Sequence, residues 1–143
     1  MTHKILITGA SGFIGSFLVE RALALGMETW AAVRPTSSRQ YLKDERIHFI
    51  TLNLGNEKEL YTQLKQHLDA EGRPFDYVIH AAGATKCRHA ADFFSINAEG
   101  TERLALSLRL TGALKAEGRF VFISSLSVMG PAHKHSPLFM WQT

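Results

Sequence analysis

Eight residues near the start of the chain, Thr8-Gly9-Ala10-Ser11-Gly12-Phe13-Ile14-Gly15, constrain its fold more than any other segment. They set a Gly-x-x-Gly-x-x-Gly pattern between the apolar run Ile5-Leu6-Ile7 and a stretch whose apolar residues recur at helical spacing. The glycines meet separate physical needs. Gly9 lets the chain turn sharply off a strand, Gly12 removes a side chain where a pyrophosphate must approach the backbone, and Gly15 lets the next helix pack closely on a sheet. The helix N-terminus then offers free N–H groups and positive partial charge to an anion. A lone glycine pattern is weak, but one between a strand and an amphipathic helix points to a bound dinucleotide.

The rest of the chain alternates short apolar or β-branched runs with helical periods, the pattern of a parallel α/β sheet. Strands are predicted at residues 3–8, 29–33, 47–52, 77–81 and 119–124. A first helix is expected over 13–25, with Phe13, Ile14, Phe17, Leu18, Ala22 and Leu25 as its inward stripe and Gly26 as its stop. Asn56 is placed to cap a second helix over 57–71, buried through Leu60, Leu64 and Leu68. A long helix is expected over 92–114, with Phe94, Leu104 and Leu108 facing inward, and Gly118 precedes the last strand. This describes one domain over residues 1–130 and an irregular tail over 131–143.

Composition removes several functions. The 16 Lys and Arg against 13 Asp and Glu give a net +3 with no basic run, so nucleic acid is not an expected partner. Apolar runs fall far short of the ~18 residues of a membrane-spanning helix. The start shows no secretory leader, and a lone Cys87 cannot form an intrachain disulfide, so a cytoplasmic location is expected. The seven histidines show no metal-ligand spacing with Cys or carboxylates, and no metal is expected.

Four further segments occur in a telling order. Val78-Ile79-His80-Ala81-Ala82-Gly83 follows the fourth strand, Asn97-x-x-Gly100-Thr101 lies on the long helix, and Val121-Phe122-Ile123-Ser124-Ser125-x-x-Val128-x-Gly130 spans the fifth strand. Asn53-Leu54 follows the third strand. Together with the glycine pattern, these segments resemble the extended short-chain dehydrogenase/reductases, the epimerase, dehydratase and reductase group. The resemblance implies a Rossmann-type, doubly wound parallel sheet in the order 3-2-1-4-5. It also implies a cofactor site built from Gly9, Ser11, Gly12, Phe13, Ile14, Gly15, Arg34, Asn53, Leu54, Ala81, Ala82, Gly83, Asn97 and Ser124.

Cofactor choice is expected at the end of the second strand, where an acidic side chain would bond the ribose hydroxyls of NAD and repel a 2′-phosphate. Val33 and Arg34 stand there instead, a planar guanidinium suits a phosphate, and the resemblance to family members with this Val-Arg ending implies NADP in preference to NAD. The competing reading leaves Arg34 solvated in its loop or stacked on the adenine.

In this family hydride transfer uses a Ser or Thr on the fifth strand with a Tyr and Lys spaced Tyr-x-x-x-Lys beyond it, the Lys favouring a phenolate that moves the alcohol proton. Ser125 matches the hydroxyl, whereas Tyr41, Tyr61 and Tyr77 all precede it. Tyr61-Thr62-Gln63-Leu64-Lys65 has the spacing but lies between the third and fourth strands and reads as a surface coincidence. The chain is therefore expected to be the NAD(P)-binding portion of such an enzyme, lacking the C-terminal substrate region and inactive alone. Its substrate would be a sugar nucleotide or another small hydroxyl or carbonyl compound. The alternative is a non-enzymatic dinucleotide-binding sensor or interaction module. The oligomeric state is left open: the resemblance implies a homo-oligomer, a dimer that pairs the 92–114 helix with the family's catalytic helix, through an interface expected to be incomplete in this chain.

Overall fold

In the computed structural model, residues 1–125 are described. Residues 131–143, for which an irregular tail is expected, and the Val128 and Gly130 positions of the last motif lie outside the described residues. Ten elements follow in the order β1 (Lys4–Thr8), α1 (Phe13–Ala24), β2 (Glu28–Ala32), β3 (His48–Ile50), α2 (Glu57–Glu71), β4 (Phe75–His80), α3 (Ala90–Phe93), a π-helical turn (Phe94–Glu99), α4 (Gly100–Thr111) and β5 (Leu114–Phe122). The strands form one parallel sheet in the order β3-β2-β1-β4-β5, as expected for a Rossmann-type fold.

Because successive strand residues face opposite ways, β1 feeds two cores. Ile5 and Ile7 pack with Val19, Ala22, Leu23 and Ala31 on the α1 side. Leu6 packs with Leu60, Leu64, Phe75, Val78, Leu104 and Leu108 on the side of α2 and α4. Every residue of β1 is buried, as a central parallel strand covered on both faces requires.

The first helix departs from its expected stripe. Gly15, Val19, Ala22 and Leu23 are buried, while Phe13, Ile14, Phe17 and Leu25 are exposed. Gly15 sets that face: a Cβ on it would stand 2.0 Å from the Gly9 carbonyl oxygen, so only a glycine can face the turn so closely. Phe13 and Phe17, on roughly the opposite face, meet edge to face instead, with ring centroids 5.2 Å apart. Phe94 is likewise exposed, because the π turn shifts the helical register between Phe94 and Glu99 that the uninterrupted spacing assumed.

The long helix also ends earlier than expected, at Thr111, with Gly112 in left-handed conformation at φ 72°. β5 then begins at Leu114 rather than residue 119. Leu114 pairs with Phe75 and Arg119 with Tyr77, so four residues of β5 face one of β4 across a register shift. Gly118 lies in that bulge, where a Cβ would come within 2.9 Å of the Asp76 carbonyl oxygen.

Candidate functional site

A cleft of about 970 Å³ opens at the C-terminal ends of β1, β2 and β4. Gly9, Ser11 and Gly12 from the first turn line it, with Arg34 from the loop after β2, Asn53 and Leu54 after β3, and Ala81, Ala82 and Gly83 after β4. These nine expected residues thus converge from four separate segments. In an open parallel sheet, this crevice outside the carboxyl ends of the strands is where ligands bind.

The glycine turn has no room for side chains. Gly9 adopts φ 66°, and a Cβ there would come within 2.6 Å of the Ala82 nitrogen and 2.7 Å of the Ala81 carbonyl. Gly9 therefore closes the turn of β1 directly onto the backbone leaving β4. Gly12 is the N-cap of α1 but offers no side-chain cap, and no acid stands in the first turn. The contrast with α2 is informative: Asn56 accepts a hydrogen bond from the Glu59 amide at 3.0 Å, and Glu57 and Glu59 supply negative charge. One helix satisfies its own positive end, and the other leaves it open toward the cleft for an anion.

Arg34 sits exposed at the rim, its backbone amide donating to the Ser37 hydroxyl at 3.3 Å. Its guanidinium has no hydrogen bond or ion pair among the described residues. The cleft's other cations differ. Arg103 is committed to the Leu54 and Ser95 carbonyls at 2.9 and 3.2 Å, whereas Lys86 has no partner among the described residues.

Asn53 is fully engaged. Its amide nitrogen donates to a Glu59 carboxylate oxygen at 2.7 Å, its Oδ1 accepts from the Gly55 amide at 3.0 Å, and its backbone amide donates to Gln63. Glu59, a cleft residue that sequence reasoning missed, was signalled only by its place three residues after the Asn56 cap.

The remaining expected residues stand off the lining. Gly15 lies buried beneath the turn, while Phe13 and Ile14 project from the first turn of α1. Asn97 acts from behind: its side-chain oxygen accepts from the Ala84 amide at 2.7 Å and its nitrogen donates to the Ala84 carbonyl at 3.1 Å, clamping the loop after β4. Ser124 and Ser125 follow the end of β5 and are exposed.

Behind the cleft floor runs a buried polar chain that the sequence did not reveal as such. The Ala82 amide donates to Thr8 Oγ1 at 3.3 Å, and Thr8 Oγ1 lies 2.6 Å from His80 Nδ1. His80 Nε2 lies 3.0 Å from Thr101 Oγ1, which donates to the Asn97 carbonyl at 2.6 Å. Burial holds the His80 imidazole below its ordinary pKa.

The parallel sheet, the glycine turn and the cleft define a dinucleotide-binding α/β domain. A model of the NAD dependent epimerase/dehydratase family matches residues 5–140, and the chain belongs to that family. Among its relatives is the ceramide reductase of Caulobacter vibrioides, 29% identical over 128 residues, which are 90% of this chain and 36% of that protein. A short-chain dehydrogenase from Leptospira borgpetersenii with bound NAD+ superposes with a TM-score of 0.72 at 23% identity, covering 94% of this chain and 56% of that one. An actinorhodin polyketide ketoreductase with NADPH superposes with a TM-score of 0.74 at 22% identity, covering 92% and 56%. The chain thus spans about a third of the length of that curated relative. No helix among the described residues is long and apolar enough to cross a membrane.

Proposed function

We propose that this chain binds NADP in preference to NAD, as the cofactor-binding part of an enzyme that transfers hydride to or from a small hydroxyl or carbonyl substrate. One observation carries the preference: β2 leads through Val33 into Arg34 with no acid at its end, and an exposed guanidinium without a partner among the described residues stands on the cleft rim. The hydroxyls of Thr36 and Ser37 line the cleft beside it. A similar dehydrogenase holds NAD+ and a similar ketoreductase holds NADPH, which supports a nicotinamide dinucleotide in this cleft.

When bound, the cofactor supplies the hydride donor or acceptor. The chain's own residues position it. The uncapped α1 N-terminus and the Gly9–Gly12 turn receive the pyrophosphate, Arg34 receives the 2′-phosphate, and Ala81, Ala82 and Gly83 present small side chains along the groove. Ser125, past the end of β5, orients the substrate oxygen.

Among the described residues, Tyr61 lies on α2 and Tyr77 on β4 with its ring against His3, and none of the three tyrosines lines the cleft. On that ground the chain by itself binds cofactor without turnover. Calorimetric titration at low salt tests the reading. NADPH binds more tightly than NADH, and Arg34→Asp weakens NADPH at least tenfold while sparing NADH, since losing a charge-assisted pair costs ~1.5–3 kcal/mol. Tighter NADH binding by the unsubstituted chain, or unchanged NADPH binding by Arg34→Asp, overturns it.

A further inference from the structure

The chain of hydroxyls around His80 has one consistent assignment of protons. Thr101 has a single hydroxyl proton, and it goes to the Asn97 carbonyl at 2.6 Å. Its oxygen therefore faces His80 Nε2 as an acceptor, which places a proton on Nε2. The unprotonated Nδ1 then accepts from Thr8 Oγ1, and Thr8 in turn accepts from the Ala82 amide. Both ends of this chain carry cleft backbone. Thr8 is the residue before the Gly9 turn, Ala82 belongs to the floor, and Asn97 clamps Ala84 beside it.

We propose that His80 is a positioning residue for the cofactor: as the neutral Nε2–H tautomer it fixes the Gly9 turn and the Ala82–Ala84 segment in the arrangement that receives the dinucleotide. The inference rests on the cofactor reading of the cleft. It also has a pH consequence. A second ring proton, on Nδ1, would turn the contact with Thr8 into donor against donor and force the Thr8 hydroxyl to find another acceptor. Among the described residues, the groups that hydrogen-bond to His80 or meet its ring are Thr8 from β1, Thr101 from α4, and Phe120 and Phe122 from β5, with ring centroids 6.2 and 5.9 Å away. None of these is charged, and burial is the cause of the lowered pKa. The switch therefore operates on the acid side of the ordinary histidine range.

Two measurements test this on the intact chain. A long-range nitrogen–proton correlation spectrum identifies which His80 ring nitrogen carries the proton near neutral pH; Nε2 is expected, and a proton on Nδ1 overturns the proposal. Calorimetric titration with NADPH and NADH from about pH 5 to 8 then compares the unsubstituted chain with His80→Phe and His80→Asn. The unsubstituted chain is expected to lose affinity for NADH, which carries no 2′-phosphate to titrate in this range, toward the acid end. His80→Phe binds both at least tenfold more weakly at neutral pH, with that acid-side change gone. His80→Asn, which restores an acceptor near Thr8, recovers part of the affinity and lacks the acid-side change even where His80→Phe fails to fold. An acid-side change in NADH affinity that persists in His80→Asn overturns the proposal while cofactor binding stands. Binding of neither cofactor by the folded, unsubstituted chain overturns the cofactor reading and this proposal with it, whichever nitrogen holds the proton.

Discussion

Acid should weaken this fold through His67 before its carboxylates respond. The ring stacks on Phe75 with centroids 5.0 Å apart and planes at 2°, meets Trp30 edge-on at 4.4 Å, and has Nε2 3.1 Å from the buried Lys4 ammonium. Burial, and then the Lys4 charge, lower its pKa from 6.5 to about 4. A folded pKa below the unfolded one means that, between those values, the unfolded chain takes up a proton that the folded chain refuses. The stabilisation is thus complete above pH 6.5 and lost as pH falls toward 4. The difference, 6.5 − 4, corresponds to about 3 kcal/mol at ~1.4 kcal/mol per unit, an upper value because water reaches part of the ring. Asp44 and Asp76 titrate lower, at about 2, and shape the curve chiefly below this window. Urea unfolding at intervals from pH 7.5 to 4 measures the loss in the unsubstituted chain and in His67→Leu. His67→Leu is expected to be less stable at neutral pH, since Lys4 loses a partner, but its stability should fall by about 2 kcal/mol less across the window. Parallel curves for the two proteins would refute the reasoning, because the slope would then belong to other groups.

Two further outcomes follow from distances already given. Gly15→Ala forces a Cβ to within 2.0 Å of a backbone oxygen and should cost about 2–4 kcal/mol by thermal or urea unfolding, whereas Gly26→Ala, with open space but φ 72°, should cost about 1 kcal/mol. Asn97→Ala removes both hydrogen bonds to Ala84 and should destabilise the chain by about 1–3 kcal/mol, with weaker binding of NADPH and NADH alike in the same calorimetric assay.

The glycine turn was legible because it is written in local chemistry, an apolar run, a turn that admits only glycine and a helix start, whereas the strand order and the converging loops came from the family resemblance that the ordered motifs carry. Asn56 as a cap and Leu60 and Leu64 as a buried pair were legible from local chemistry as well. The face of α1 was not, since hydrophobicity marked Phe13 and Phe17 as inward while steric access at Gly15 decided otherwise. The π turn and the bulge at Gly118 leave no periodic trace, and both moved the expected element boundaries. In the site, the Gly9 turn and the position of Arg34 could be read from sequence. The chain through Thr8, His80 and Thr101 could not, because its members come from three elements and acquire their roles only by meeting.

The place of β1 in the middle of the sheet also bears on how the protein is made. Thr8 meets His80 across 72 residues of chain, and Gly9 closes against Ala81 and Ala82 just beyond. A ribosome emits the glycine turn early, but the wall it closes against emerges only after β2, β3, α2 and β4 have been synthesised. Such long-range parallel pairing is slow to form, because the intervening loop must be ordered before the contact can stabilise it. The nucleotide cleft is therefore a late product of synthesis, and until β4 arrives the nascent first strand keeps an unpaired apolar edge that is a natural client for chaperones.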